Sequence, residues 1–106
     1  MINTILTASG VEYRRARFLK PPVGTYAVYM DDVATDGPDG GNRIYTHSVT
    51  VEVYEAKPDD AAEAAIEAAI DAQGLPWTKQ DRYWLETEQR YQVIYEFDYI
   101  EKRRAK

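Results

Sequence analysis

The stretch from residue 45 to residue 53 alternates without a break. Tyr45, His47, Val49, Val51 and Val53 fall on one side, and Thr46, Ser48, Thr50 and Glu52 on the other. A period of two marks a strand with one buried and one solvated face. A second run repeats the pattern near the carboxyl end, with Tyr91, Val93, Tyr95, Phe97 and Tyr99 on one face. Ile94, Glu96, Asp98 and Ile100 take the other face. The tyrosines alone, spaced by four, also fit a helix face. The density of β-branched and aromatic residues decides for a strand. Two such strands must share a sheet, and their apolar face needs a covering layer.

Helices supply that layer. The sequence "KPDDAAEAAIEAAIDAQG" carries its own punctuation: Asp59 or Asp60 to cap the start, Glu63 in the first turn, and Gly74 to end it. Its expected buried stripe is Ala62, Ala65, Ile66, Ala69 and Ile70. A shorter helix is expected from Ile2 to about Ala8, broken by Gly10. "TYAVYM" reads as a further strand after Pro21–Pro22, and Trp84–Glu88 as another, with a turn near Glu88–Arg90. The reading is a single α+β domain over residues 1–106, an antiparallel sheet of about four strands with two helices on one face. Residues 31–43, rich in Asp and Gly, are expected to be a mobile loop, and residues 102–106 a basic tail.

Little in the chain points to catalysis. There is no cysteine, and His47 is the only histidine, so a zinc site of the usual kind has no ligand set. The Asp-rich loop fails as an EF-hand: with Asp32 first, Asp36 and Gly37 fit, but Ala34 and Arg43 occupy ligand positions. Pro38–Asp39 followed by Glu55-Ala56-Lys57 is similar to the Pro-Asp…Glu-x-Lys motif of restriction-endonuclease-like, metal-dependent nucleases. That motif is short, and it stands as the alternative reading, beside a small adaptor that forms no ring. No apolar run is long enough to span a bilayer, and the amino-terminal stretch is too short for a secretory signal. The expectation is a protein made in a cytoplasm, without membrane partner, catalytic residue, metal or cofactor.

Charge is segregated. Residues 1–20 carry four basic and one acidic side chain, residues 101–106 again four and one, and residues 21–100 five basic against sixteen acidic. An acidic body argues against tight nucleic-acid binding. Nine tyrosines against two phenylalanines suit surfaces that are half buried or become buried on association.

Four features together carry a family likeness. They are Pro22 ahead of the Tyr26–Tyr29 strand, the strand end Val51-Glu52-Val53-Tyr54, the short acidic helix, and the set Glu88, Tyr91, Gln92 and Tyr95. From about Pro22 to Lys102 the chain resembles the tail-completion, or tail-terminator-like, proteins of long-tailed phages and prophages, particularly of Gram-positive hosts. The resemblance implies a ring, commonly of six subunits, at the head-proximal end of the tail. Such a ring stops the tail tube and meets the head connector. Its partners would be copies of itself, the tail-tube protein and the connector protein. It would reside in the virion after assembly in the host cytoplasm, with DNA passing through.

The family has no fixed motif of functional side chains, so interface candidates come from physical chemistry. They are Tyr13, Tyr29 and Tyr54, read as lying off the valine face; the acidic Asp36 and Asp39; and the basic Arg14, Arg15, Lys102, Arg103 and Arg104. Val93 and Phe97 are assigned to the core.

Overall fold

A computed structural model describes residues 1–37 and 42–104, with the side chains of Asn42 and Arg104 left undescribed. The elements in chain order are α1 (Ile2–Ser9), β1 (Glu12–Arg15), β2 (Tyr26–Asp36), β3 (Asn42–Glu55), α2 (Asp60–Asp71), β4 (Thr78–Lys79), β5 (Tyr83–Leu85) and β6 (Arg90–Arg104). They form one sheet in the order β1-β2-β3-β6-β4, with β5 also paired to β6. The α+β class is as expected. The sheet is larger and mixed, however: it has six strands, and β1 runs parallel to β2. β1 reads "EYRR", too charged to show alternation, and β4 has two residues, too few to show a period. The strand expected at Trp84–Glu88 is β5, shorter and one residue earlier, with its turn over residues 86–89.

Registers place the two alternating runs side by side. Val53, Val51 and Val49 of β3 lie opposite Val93, Tyr95 and Phe97 of β6, and Ala27 and Tyr29 of β2 lie opposite Val53 and Val51. All eight residues belong to one core cluster with Ile2, Ile5 and Leu6 of α1 and Ile66, Ala69 and Ile70 of α2. Both helices therefore cover the same face. Complete burial of an aliphatic side chain is worth about 1.5–3 kcal/mol, so this cluster is the main source of stability. In α2 the expected stripe holds at Ile66, Ala69 and Ile70, while Ala62 and Ala65 are only half buried.

The opposite face is covered in part by residues 16–25. Ala16 takes a left-handed conformation, φ 66°, and its N–H donates to the Tyr29 carbonyl at 2.8 Å, ending β1. The chain then crosses the sheet, with Phe18 edge-on to Tyr26 at 5.1 Å. Arg90 fixes this crossing by donating to the carbonyls of Pro22, Val23 and Gly24 at 3.0, 2.7 and 2.9 Å. Its guanidinium also lies 5.1 Å from the Tyr26 ring centre.

The expected loop over residues 31–43 is mostly strand. Asp31–Asp36 continues β2, and Asn42 and Arg43 open β3. The composition was read correctly as having nothing to bury, but a strand needs only a backbone partner, and β3 supplies one. Residues 38–41 lie outside the described residues. The expected basic tail likewise continues a strand as far as Arg104, with Ala105 and Lys106 outside the described residues.

Of the two candidate caps for α2, Asp59 is the one used. Its Oδ1 accepts from the Ala62 N–H at 3.0 Å and its Oδ2 from the Thr25 hydroxyl at 2.6 Å, tying the helix start to the entry of β2. Asp59→Ala removes both bonds and is expected to cost about 1–2 kcal/mol, measured by denaturant unfolding.

Candidate assembly interface

The helices cover only the lower part of the sheet. Beyond them β2, β3 and β6 continue as a three-stranded arm, and the molecule measures 50 Å along its longest axis against 27 and 21 Å across. From Asp32 on β2, and at Lys102 and Arg103 on β6, the side chains are exposed. Val33, Ile44 and Ile100 are open to solvent at 47%, 39% and 64%, although each is a large apolar residue. Ile44 and Ile100 share the face turned away from the helices, whereas Val33 lies opposite His47 on the helix-side face. Single exposed apolar residues are ordinary, but Ile44 and Ile100 are diagonal neighbours on a face that no helix covers.

His47 holds the base of this arm together. Its ring stacks on Tyr99 directly opposite on β6, centres 4.2 Å apart and planes within 7°. Nδ1 contacts both oxygens of Asp31 on β2 at 2.9 and 3.0 Å, and Nε2 meets Oε1 of Glu101 on β6 at 2.9 Å. One imidazole on the central strand thus bridges to carboxylates on both flanking strands. Burial disfavours the imidazolium, but the hydrogen bonds and charges of Asp31 and Glu101 outweigh it, and the pKa is raised above 6.5. Glu101 is held down to about 2, first by Arg103 and then by His47. The face assignment of His47 and Tyr99 was legible in the alternation. The two carboxylate partners were not, because Asp31 and Glu101 meet His47 only through the register.

The candidate residues separate into distinct places. Tyr13, Arg14 and Arg15 lie on β1, where Tyr13 bonds Thr7 of α1 at 2.8 Å and Arg14 covers Phe18 at 5.1 Å. With Asn3, Thr7, Val11 and Tyr29 these residues line a groove between α1 and β1. Tyr13 and Tyr29 correct the sequence reading: Tyr13 lies beside Ala27 on the valine face and packs on the core, and Tyr29 lies opposite Val51 on that face, is 7% exposed, and hydrogen-bonds Asn3 of α1 at 3.2 Å. A ring so enclosed presents little surface to a neighbour. Tyr54 does lie off the valine face, stacked on Tyr26 at 5.1 Å and donating to Glu52 at 2.9 Å. Asp36, Lys102, Arg103 and Arg104 gather at the far end of the arm, where Asp36 and Lys102 flank Ile44. Arg103 is tied to Glu101 and lies 4.2 Å from the Tyr45 ring centre. Asp39 lies outside the described residues.

A second polar group, missed in the sequence, sits where β3 ends against α2. Glu55 is fully buried and Glu63 nearly so. Arg82 donates to Glu55 at 3.2 Å, to Glu63 at 2.7 Å and to Asp60 at 3.0 Å, and Lys79 bridges Glu63 and Glu67 at 2.9 and 2.7 Å. Tyr95 donates to Glu67 at 2.6 Å. Glu55 Oε2 has no partner while both carboxyls are ionised. A proton on that oxygen supplies the missing donor toward Glu63. Burial accordingly pushes Glu55 up to about 7. Glu63 is buried too, but bonds from Glu55, Arg82 and Lys79 hold it down. This packing answers the nuclease motif. Glu55 is enclosed and committed to Arg82 and Glu63, and Asp39 is outside the described residues. Among the described residues no group of three or more His, Cys, Asp or Glu side chains is arranged to hold a metal ion. No described helix is long and apolar enough to cross a membrane.

No protein-family model matches the chain, and no curated protein matches it. Among solved structures, the chain is similar to a chain of the virion of a native gene transfer agent particle, with a TM-score of 0.59 and 20% identity. The likeness covers 94% of this chain and 83% of that one, so the two share a fold nearly from end to end.

Two pH effects follow from the buried groups whose pKa is raised, and they have the same sign. Glu55 holds a proton in the folded state that the unfolded chain releases near 4.5, so its contribution is complete below about 4.5 and lost as pH rises to about 7. Stability measured by urea titration is expected to fall across that window, on the order of 1–3 kcal/mol, and Glu55→Gln to flatten the slope. His47, also raised, stabilises below 6.5, and its contribution disappears as pH rises through the folded value. NMR titration of this single histidine is expected to give a midpoint above 6.5, lowered by Asp31→Asn or Glu101→Gln.

Proposed function

We propose that this chain is a structural subunit of a phage-like virion, and that it works as a ring at the head-proximal end of the tail. There it ends the tail tube and joins it to the head connector, without catalysis or cofactor. The observation that carries this reading is the fold likeness, nearly end to end, to a chain of a gene transfer agent virion. The sequence resemblance to tail-completion proteins supports the finer reading, a place at the head-proximal end of the tail. The arm adds physical support: exposed apolar residues, and charges of opposite sign on its two outer strands, suit contacts between unlike patches of identical subunits. A ring, commonly of six, then leaves a passage whose acidic surroundings would let DNA through without holding it.

Particles lacking this gene are expected to show unjoined heads and tails of uncontrolled length by negative-stain microscopy, and supplied protein to restore joining. Normal particles in its absence would contradict the proposal. Incubation with Mg²⁺ and DNA is expected to leave the DNA intact; cleavage lost on Lys57→Ala would favour the nuclease instead.

A further inference from the structure

The arm has two open edges, and the hydrogen bonds nearby show which backbone groups they present. β1 pairs with β2 only over Tyr26–Tyr29, and the Tyr29 carbonyl accepts from Ala16 on that side. Backbone groups alternate in direction along a strand, so those of Asp31, Val33 and Thr35 point the same way as Tyr29. Among the described residues no strand meets them. On the other side β4 pairs with β6 only at Tyr95 and Glu96, and the Ile94 carbonyl accepts from the Gln80 N–H. By the same alternation Asp98, Ile100 and Lys102 face outward, again without a described partner strand. β3 is paired on both sides from Ile44 to Tyr54, which fixes this parity for all three strands.

We propose that copies of this chain join edge to edge, the free edge of β2 in one copy pairing with the free edge of β6 in the next. Successive arms then form one continuous sheet. The inference rests on the ring reading above and names the contact that would build it. β2 and β6 both run antiparallel to β3 and hence parallel to each other, so copies related by rotation about an axis along the arm bring them together in parallel. Neither Pro nor a bulge blocks β2 from Met30 to Asp36, and the charges it carries there are all acidic, which protects it against a like edge rather than a basic one. The charges select the pairing. β2 carries Asp31, Asp32 and Asp36, so two β2 edges repel, and the end of β6 carries Lys102, Arg103 and Arg104, so two such ends repel as well. The unlike pair remains, and it places Asp36 level with Lys102. It also brings Ala34 of one copy beside Ile100 of the next, on the face where Ile44 and Ile100 are exposed. At equal height Asp32 also meets Asp98, a like-charge contact that the Asp36–Lys102 pair and the Ala34–Ile100 contact must outweigh.

The outward N–H groups of Val33 and Ile100 make the test specific. Proline at either position removes an N–H that the protomer's own ladder does not use. Val33→Pro and Ile100→Pro are expected to keep the wild-type circular dichroism spectrum while shifting the chain to monomer in sedimentation velocity. Charge variants serve if proline disturbs folding. Asp36→Lys and Lys102→Glu are each expected to weaken association about tenfold, and the double variant to restore it. Rings that survive both prolines and both charge reversals would overturn the edge contact and leave the ring reading standing. A wild-type chain that stays monomeric at every concentration, and on tail tubes as well, would overturn both.

Discussion

The rest of the structure depends on the double pairing of β3. It is matched by β6 along its whole length and by β2 from Ile44 to Tyr54. Near the helices this pairing carries side chains that are also buried, so hydrogen bonding and apolar burial act together. Toward the arm burial fades, and only the ladder and the His47 bridge continue. A strand pair in water gains little from its hydrogen bonds alone, because the solvent offers equivalent ones. Two carboxylates converging on one imidazole, stacked on Tyr99, are therefore a sensible fixture at the point where the core stops.

The two polar clusters contribute differently. The bridge at the arm base is enclosed at His47 and Asp31, more open at Glu101, and ties strand to strand. The Glu55, Glu63 and Arg82 group lies against the core and ties the end of β3 to α2 and to the segment leading into β5. A fully buried carboxyl is tolerable there because it can remain protonated beside an ionised neighbour, and Arg82 and Lys79 face the charge that remains. This arrangement uses the charged residues of α2 to seal the fold, so the acidity of that helix is partly structural rather than a solvated face.

The molecule thus divides into a closed body and an open arm. The body satisfies its apolar surface internally under two helices. The arm leaves apolar residues, two strand edges and separated charges without partners among the described residues. A chain built to remain alone would shorten or cover these strands. The same fold occurs, nearly from end to end, in a chain of a gene transfer agent virion.

Sequence by itself determined the strands' faces and the helix punctuation. Alternation assigns Val49, Val51, Val53, Val93, Tyr95 and Phe97 to one buried side, and Asp59 and Gly74 bracket α2 through local hydrogen bonding and backbone freedom. These are short-range effects, written within a few residues. Tertiary structure alone decided the register, and with it everything that joins distant positions: Tyr29 moved onto the valine face, Glu55 met Glu63 and Arg82, and His47 met Asp31 and Glu101. It also turned the Asp-rich stretch after Met30 into strand, because a backbone with nothing to bury still pairs when a long partner lies beside it. Periodicity tells which way a side chain points; only pairing between distant segments tells what it points at.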